Sequence, residues 1–223
     1  MKHWSFYLSK FLCWLLFRVV YDLKVTGQEH VPATGPVILA ANHLSYLDPP
    51  LVGVACPRRV TFLAQAELFH NGLLGAYMRS VHVIPLKRDE GDLSAIRAAT
   101  IQLALGEAIT IFPEGGRQLS GQLGRAKRGV GFLAMKAKAP IVPVLLQGTF
   151  QALPPHATWL RPSKIRVAFG APIPYTNGSP PSARRGDGQR GGDPAPQTTR
   201  QDQERLAEAV TQRWRELAQQ LER

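Results

Sequence analysis

Five short apolar runs and one alternating run, interspersed with stretches of helical period, constrain this chain's fold more than any other feature. Val37-Ile-Leu-Ala-Ala41 follows Gly35-Pro36, and Ala108-Ile-Thr-Ile-Phe112 runs into Pro113. Val60-Thr-Phe-Leu-Ala64, Val81-His-Val-Ile-Pro85 and Ile141-Val-Pro-Val-Leu-Leu146 have the same length and character. Runs of this length, bounded by Gly and Pro, predict buried strands rather than helices. Lys164-Ile-Arg-Val-Ala-Phe169 alternates polar and apolar, which predicts an edge or half-exposed strand. Between them, 92–106 and 129–138 carry helical periodicity, the first closed by Gly106. Strands alternating with helices predict an α/β domain built on a mostly parallel central sheet flanked by helices.

Composition agrees with such a core. Hydrophobic residues make up 44% and charged residues 19% of 223, which excludes a disordered chain, a collagen and a coiled coil. Four segments follow. Residues 1–24 hold an amphipathic helix, and 25–175 form the α/β domain. Residues 176–201, rich in Gly, Pro, Ser and Arg, read as a flexible linker. Residues 202–223 form a C-terminal helix with Leu206, Val210, Trp214, Leu217 and Leu221 on a repeating face, which leaves its partner open.

In the first segment Trp4, Leu8, Phe11, Leu12, Leu15 and Val19 share a stripe, with Lys2, Ser5, Ser9 and Lys10 mostly opposite. The longest unbroken apolar run, Phe11 to Phe17, is too short to cross a bilayer. Aromatics flanked by Lys and Arg suit a helix lying in the membrane interface. Packing on the domain core is the rival reading. A cleaved signal peptide fits poorly, because no small-residue cleavage pattern closely follows the apolar run.

The charge is strongly positive: 27 Lys and Arg against 16 Asp and Glu, a net +11. Such a balance favours phosphate-rich partners. The basic residues between 117 and 138 are not interleaved with aromatics, and no nucleic-acid motif is present, so anionic lipid or a phosphorylated substrate is favoured over nucleic acid. Cys13 and Cys56 form no CxxC pair, and no Cys/His cluster has zinc spacing, so neither a metal site nor a disulfide scaffold is expected. A reducing compartment is implied.

Two constellations can do chemistry. Asn42-His43-Leu-Ser45-Tyr-Leu-Asp48-Pro49 leaves a strand end. There a carboxylate can hold one ring nitrogen of His43 as donor and leave the other as a base. Phe112-Pro113-Glu114-Gly115-Gly116-Arg117 also follows a strand, where α/β sheets place ligand sites. Its glycines allow close backbone approach, and Arg117 can fork onto a phosphate.

These two blocks, with Arg88 after Ile84-Pro85 and with Ile141-Val142-Pro143-Val144, resemble in order and spacing the lysophospholipid acyltransferase family, which includes the 1-acylglycerol-3-phosphate and glycerol-3-phosphate acyltransferases. The resemblance covers roughly Val25 to Phe169. It implies His43 as general base and Asp48 as its orienting carboxylate. It implies that Glu114, Gly115 and Arg117, helped by Arg88, bind the acceptor's glycerol phosphate. Pro143 belongs to a block linked to donor or acceptor binding, and Lys127 with Gly129 resembles a following Lys-x-Gly element. The family usually has threonine at Gly116, lysine at Gln65 and proline at Gly72; these departures bear on the acceptor rather than the chemistry.

The implied reaction moves a fatty acyl group from acyl-CoA or acyl carrier protein, as co-substrate, to a lysophospholipid hydroxyl, with no cofactor or metal. Its first acceptor is 1-acyl-sn-glycerol-3-phosphate, giving phosphatidic acid. The implied setting is peripheral, on the cytoplasmic face of a membrane. Two alternatives stay open: another acceptor, such as a lyso-ornithine lipid, and a non-catalytic membrane-binding protein of the same fold.

Overall fold

The computed structural model describes residues 4–70, 72–80, 83–86, 91–157, 159–175 and 200–222. Seven strands form its sheet: β1 (Lys24–Thr26), β2 (Val37–Ala41), β3 (Val60–Gln65), β4 (Ile84–Leu86), β5 (Ala108–Ile111), β6 (Ile141–Gln147) and β7 (Arg166–Phe169). Their order is β1-β7-β6-β2-β5-β3-β4. Every pairing is parallel except β6 with β7. The expected α/β sheet is therefore present, with β2 and β5 at its centre.

Strand alternation builds two apolar layers. Val37, Leu39 and Ala41 of β2 join Val142, Val144 and Leu146 of β6 on one face. Helices α1 (Trp4–Tyr21) and α2 (Asp48–Ala55) cover that face through Phe17, Tyr21, Leu51, Val52 and Ala55. On the other face Ile38, Ala40, Ile109, Ile141 and Leu145 pack against α4 (Gly91–Ala104), α5 (Gly129–Ala137) and α7 (Arg200–Leu221). Helix α3 (Gly72–Ser80) lies between β3 and β4, and the short α6 (Thr149–Ala152) follows β6. Burying both faces explains why these strands are continuous apolar runs.

The C-terminal helix docks on the domain. Its buried Ala207, Val210, Trp214 and Leu217 belong to the second layer, and Trp214 Nε1 donates to Ala40 O at 3.0 Å. It starts at Arg200, two residues inside the span that composition assigns to the linker. The rest of that span, 176–199, lies outside the described residues.

Several boundaries differ from the sequence reading. The helix expected over 92–106 spans Gly91–Ala104. The strand expected over 81–85 is β4 at Ile84–Leu86, and Val81 and His82 lie outside the described residues. Strand β7 is interior rather than an edge, because β1 pairs along its open side at Lys24↔Arg166 through Thr26↔Ala168. Its alternation reflects Arg166, whose guanidinium bonds Asp22 O at 2.7 Å and Asp22 Oδ2 at 3.2 Å.

Helix α1 presents its two sides differently from the simple polar–apolar split. Leu8, Phe11, Leu12, Leu15 and Val19, all from the predicted stripe, are exposed. Phe17 and Tyr21 pack on the domain with Cys13. Lys10, expected mostly opposite the apolar stripe, turns to the protein and donates to Cys56 O at 2.5 Å. That carbonyl ends α2, where the last turn lacks intrahelical donors and the dipole favours a cation. Burial lowers the Lys10 pKa, with the nearby Cys56 thiol acting in the opposite direction.

Candidate active site

Parallel strands β2 and β5 end side by side, so the segments leaving them share one sheet edge. At the end of β2, Asn42 extends the ladder with its side chain. Its Nδ2 donates to Leu146 O at 3.0 Å, and its Oδ1 accepts from Leu146 N at 2.7 Å. The next residue, His43, is thereby aimed off the strand end.

The turn after His43 is built around Asp48. Its fully buried Oδ2 accepts from His43 Nδ1 at 2.9 Å, from Leu44 N at 2.6 Å and from Ser45 N at 2.7 Å. Asp48 opens α2, and the following Pro49 and Pro50 suit the first turn, where backbone donors are unpaired anyway. A carboxylate there is favoured by the helix dipole. Because Asp48 accepts, Nδ1 is the donor, and in the neutral imidazole Nε2 is left as the acceptor. Nε2 has no hydrogen-bond partner among the described residues. Phe112 stacks on the imidazole with centroids 4.2 Å apart.

The segment leaving β5 grips the same histidine by its backbone. Glu114 Oε2 accepts from His43 N at 2.6 Å, and Gln118 N donates to His43 O at 2.8 Å. Glu114 Oε1 accepts from Gly124 N at 2.9 Å. Burial raises the Glu114 pKa, and the two amide donors oppose it. The resemblance implies acceptor binding for Glu114, but the structure buries it and turns both oxygens to backbone amides. It fixes the frame on which His43 stands.

Arg117 faces outward from this frame. Its guanidinium stacks over the Tyr46 ring, 3.6 Å from the centroid, and Nη2 donates to Tyr46 Oη at 2.7 Å. Its Nη1 is buried without a partner among the described residues. A buried, unpaired guanidinium donor is costly unless an acceptor arrives. Lys127 passes directly over Gly115, and its ammonium lies where a Cβ on Gly115 would have to be. Gly115 also has φ +79°, which favours glycine. Gly115 and Lys127 are thus in contact, with Arg117 two residues further along the same loop. Around Gly116 there is open space.

Two candidate residues remain. Arg88 lies outside the described residues. Pro143 is buried in β6 opposite Ala40, and its carbonyl accepts from Gly170 N at 2.8 Å. Strand alternation puts it on the face of Ile141 and Leu145, in the layer under α7, so its surroundings are those of a packing residue. Among the described residues no cluster of three His, Cys, Asp or Glu could hold a metal.

Sequence reasoning missed Phe112 as the ring that flanks His43 and Tyr46 as the platform for Arg117, although both stand inside the quoted motifs. It also missed Thr211 of α7. Its Oγ1 accepts from Ala126 N at 3.0 Å, beside Lys127, whose own N–H donates to Pro113 O at 2.8 Å. A contact across 85 residues leaves no local signal.

Fold and site together define a class: a mostly parallel α/β enzyme with its polar machinery at the C-terminal ends of the central strands. Within that class the chain belongs to the acyltransferase family, whose model, described as Acyltransferase, matches residues 22–147. A 1-acyl-sn-glycerol-3-phosphate acyltransferase from Bacillus subtilis (strain 168) is 29% identical over 152 residues, covering 68% of this chain and 73% of that protein. The 1-acyl-sn-glycerol-3-phosphate acyltransferase alpha of Homo sapiens is 32% identical over 147 residues, covering 61% of this chain and 51% of that one. The crystal structure of the 1-acyl-sn-glycerophosphate (LPA) acyltransferase PlsC from Thermotoga maritima superposes with a TM-score of 0.67 at 22% identity, over 93% of this chain and 78% of that one. That last likeness speaks for the fold.

Proposed function

We propose that this enzyme moves a fatty acyl group from the thioester of acyl-CoA or acyl carrier protein to the free hydroxyl of a lysophospholipid at a membrane surface. The favoured acceptor is 1-acyl-sn-glycerol-3-phosphate and the product phosphatidic acid. The observation that carries this reading is one frame holding both a free imidazole nitrogen and an unpaired guanidinium N–H. His43 Nδ1 is fixed by Asp48 at 2.9 Å, and Arg117 stands one residue from the amide that holds His43 O. The relatives, named 1-acyl-sn-glycerol-3-phosphate acyltransferases, support the same acceptor.

His43 Nε2 takes the acceptor's hydroxyl proton as its oxygen attacks the thioester carbon. The C–S bond then breaks, the thiolate leaves, and the imidazolium returns the proton to sulfur. Asp48 holds the tautomer and stabilises the imidazolium. Such a base typically contributes about 10²–10⁴-fold. Arg117 and Lys127 hold the acceptor's phosphate and orient its hydroxyl. The exposed apolar stripe of α1 rests in the lipid interface; no helix among the described residues is long and apolar enough to cross a membrane.

An acceptor screen with labelled palmitoyl-CoA, read by thiol release and lipid chromatography, tests this. Phosphatidic acid is the expected product, and His43→Ala is expected to reduce turnover at least about 100-fold while the fold persists. More than a few per cent residual turnover in the folded variant refutes the assigned base. Gly116 and Gln65, where the family usually has threonine and lysine, favour a second reading, another acceptor such as a lyso-ornithine lipid; preferential labelling of that acceptor would establish it.

A further inference from the structure

The segment between α6 and β7 holds an exposed aromatic that the site does not use. Trp159 is 80% exposed and Leu160 54%. An indole left this far in water forfeits most of the burial that makes the residue useful in a fold.

The segment is held firmly rather than loosely. Ala157 N donates to Pro154 O at 2.9 Å, Arg161 N to Ala152 O at 2.8 Å, and Ser163 Oγ to Gly148 O at 3.0 Å. Pro154, Pro155 and Pro162 stiffen it further. Its two feet stand on functional ground. Ser45 Oγ, in the turn that holds Asp48, donates to Leu153 O at 2.8 Å. Ile165 N donates to Tyr21 O, the last residue of α1, at 3.0 Å.

Charge indicates the occupant. Arg161 and Lys164 are exposed and make no ion pair among the described residues. No Asp or Glu occurs anywhere from Thr149 to Ile165. An indole and a leucine flanked by free cations match the boundary between acyl chains and anionic headgroups. The foot on Tyr21 makes this loop adjacent to α1, whose exposed apolar stripe carries the proposed membrane contact.

We infer that the 154–164 loop is a second lipid-contacting surface, inserting Trp159 and Leu160 into an anionic membrane while Arg161 and Lys164 meet its headgroups. It works with α1 to set the enzyme's orientation, so that the turn carrying His43 faces the bilayer. The inference borrows from the proposed function the choice of lipid as occupant and the membrane contact of α1.

The test uses the full chain carrying Trp4→Phe and Trp14→Phe, which leaves Trp159 and the fully buried Trp214 as emitters. Vesicles contain brominated phosphatidylcholine with or without phosphatidylglycerol. Quenching and a blue shift are expected with the anionic vesicles, and adding Trp159→Phe should abolish both. In the otherwise natural chain, Trp159→Ala with Leu160→Ala should weaken vesicle partitioning about tenfold, since α1 still binds. Arg161→Gln with Lys164→Gln should erase the preference for phosphatidylglycerol. Unquenched Trp159 in protein that sediments with vesicles overturns the inference, as does failure to sediment. So does emission that responds to acyl carrier protein but not to vesicles. Quenching in a protein that transfers no acyl group would leave the loop's role standing and remove the proposed activity.

Discussion

Two stretches of chain fix His43: Asp48 holds its ring, while the segment after β5 sets Phe112 on its face and Glu114 and Gln118 on its backbone. Glu114 makes opposite demands on stability and activity. Its raised pKa means the folded state holds the proton more readily than the unfolded chain does. From the ordinary value of 4.5 up to the folded value, its contribution to stability therefore falls as pH rises, and recovers on acidification. Activity runs the other way, since only the carboxylate accepts from both His43 N and Gly124 N. Turnover is thus expected to fall on acidification above the usual glutamate range without a matching loss of Tm from this group. Parallel pH series of kcat and Tm measure this. Glu114→Gln must set an amide against one backbone N–H, so kcat should drop roughly 10–100-fold with little pH-linked change in stability remaining. An unchanged kcat would show that Glu114 does not position the base. On the proposed reading, Arg117 serves substrate binding instead. Arg117→Ala should raise the acceptor's KM about tenfold or more and leave the donor's nearly unchanged, as initial rates with each substrate varied would show. Equal effects on both would remove the phosphate role.

At the scale of elements, α7 is more than a cover. Thr211 holds Ala126, next to Lys127 and two residues from the Gly124 amide that Glu114 accepts. Thr211→Val keeps the shape and strands that N–H, at a cost of about 1–3 kcal/mol. For a domain of this size that lowers Tm by roughly 2–4 °C per kcal/mol. Calorimetry should show that drop, together with reduced turnover, and Thr211→Ser should restore both. A Thr211→Val protein with wild-type Tm and turnover would mean the loop holds without α7. The sequence made the central strands plain, because runs buried on both faces leave a continuous apolar signature. It hid α2, whose eight residues begin Asp48-Pro49-Pro50 and look like a turn. It hid β1, three residues long and supported by β7 rather than by its own pattern. In the site, His43, Asp48 and Arg117 stood inside recognisable blocks. The burial of Glu114 and the packing place of Pro143 depend on partners that only folding assembles, such as Gly124, Ala40 and Gly170.

At the scale of the whole molecule, no other element among the described residues exposes as many large apolar side chains as α1. Leu12→Asp with Leu15→Asp places charges among them without touching Phe17 or Tyr21, which pack on the core. Vesicle sedimentation should weaken by an order of magnitude or more, while Tm in vesicle-free buffer holds. Unchanged sedimentation would move the contact elsewhere. The backbone grip on His43 has a further consequence. Since its N–H and C=O are both bonded to the segment that carries Arg117, the imidazole and the guanidinium stand on one hydrogen-bonded frame. On the proposed reading, the number of bonds between an acceptor's phosphate and its hydroxyl then decides which oxygen is acylated, and a lysolipid one bond too long would miss the imidazole however tightly its head was held.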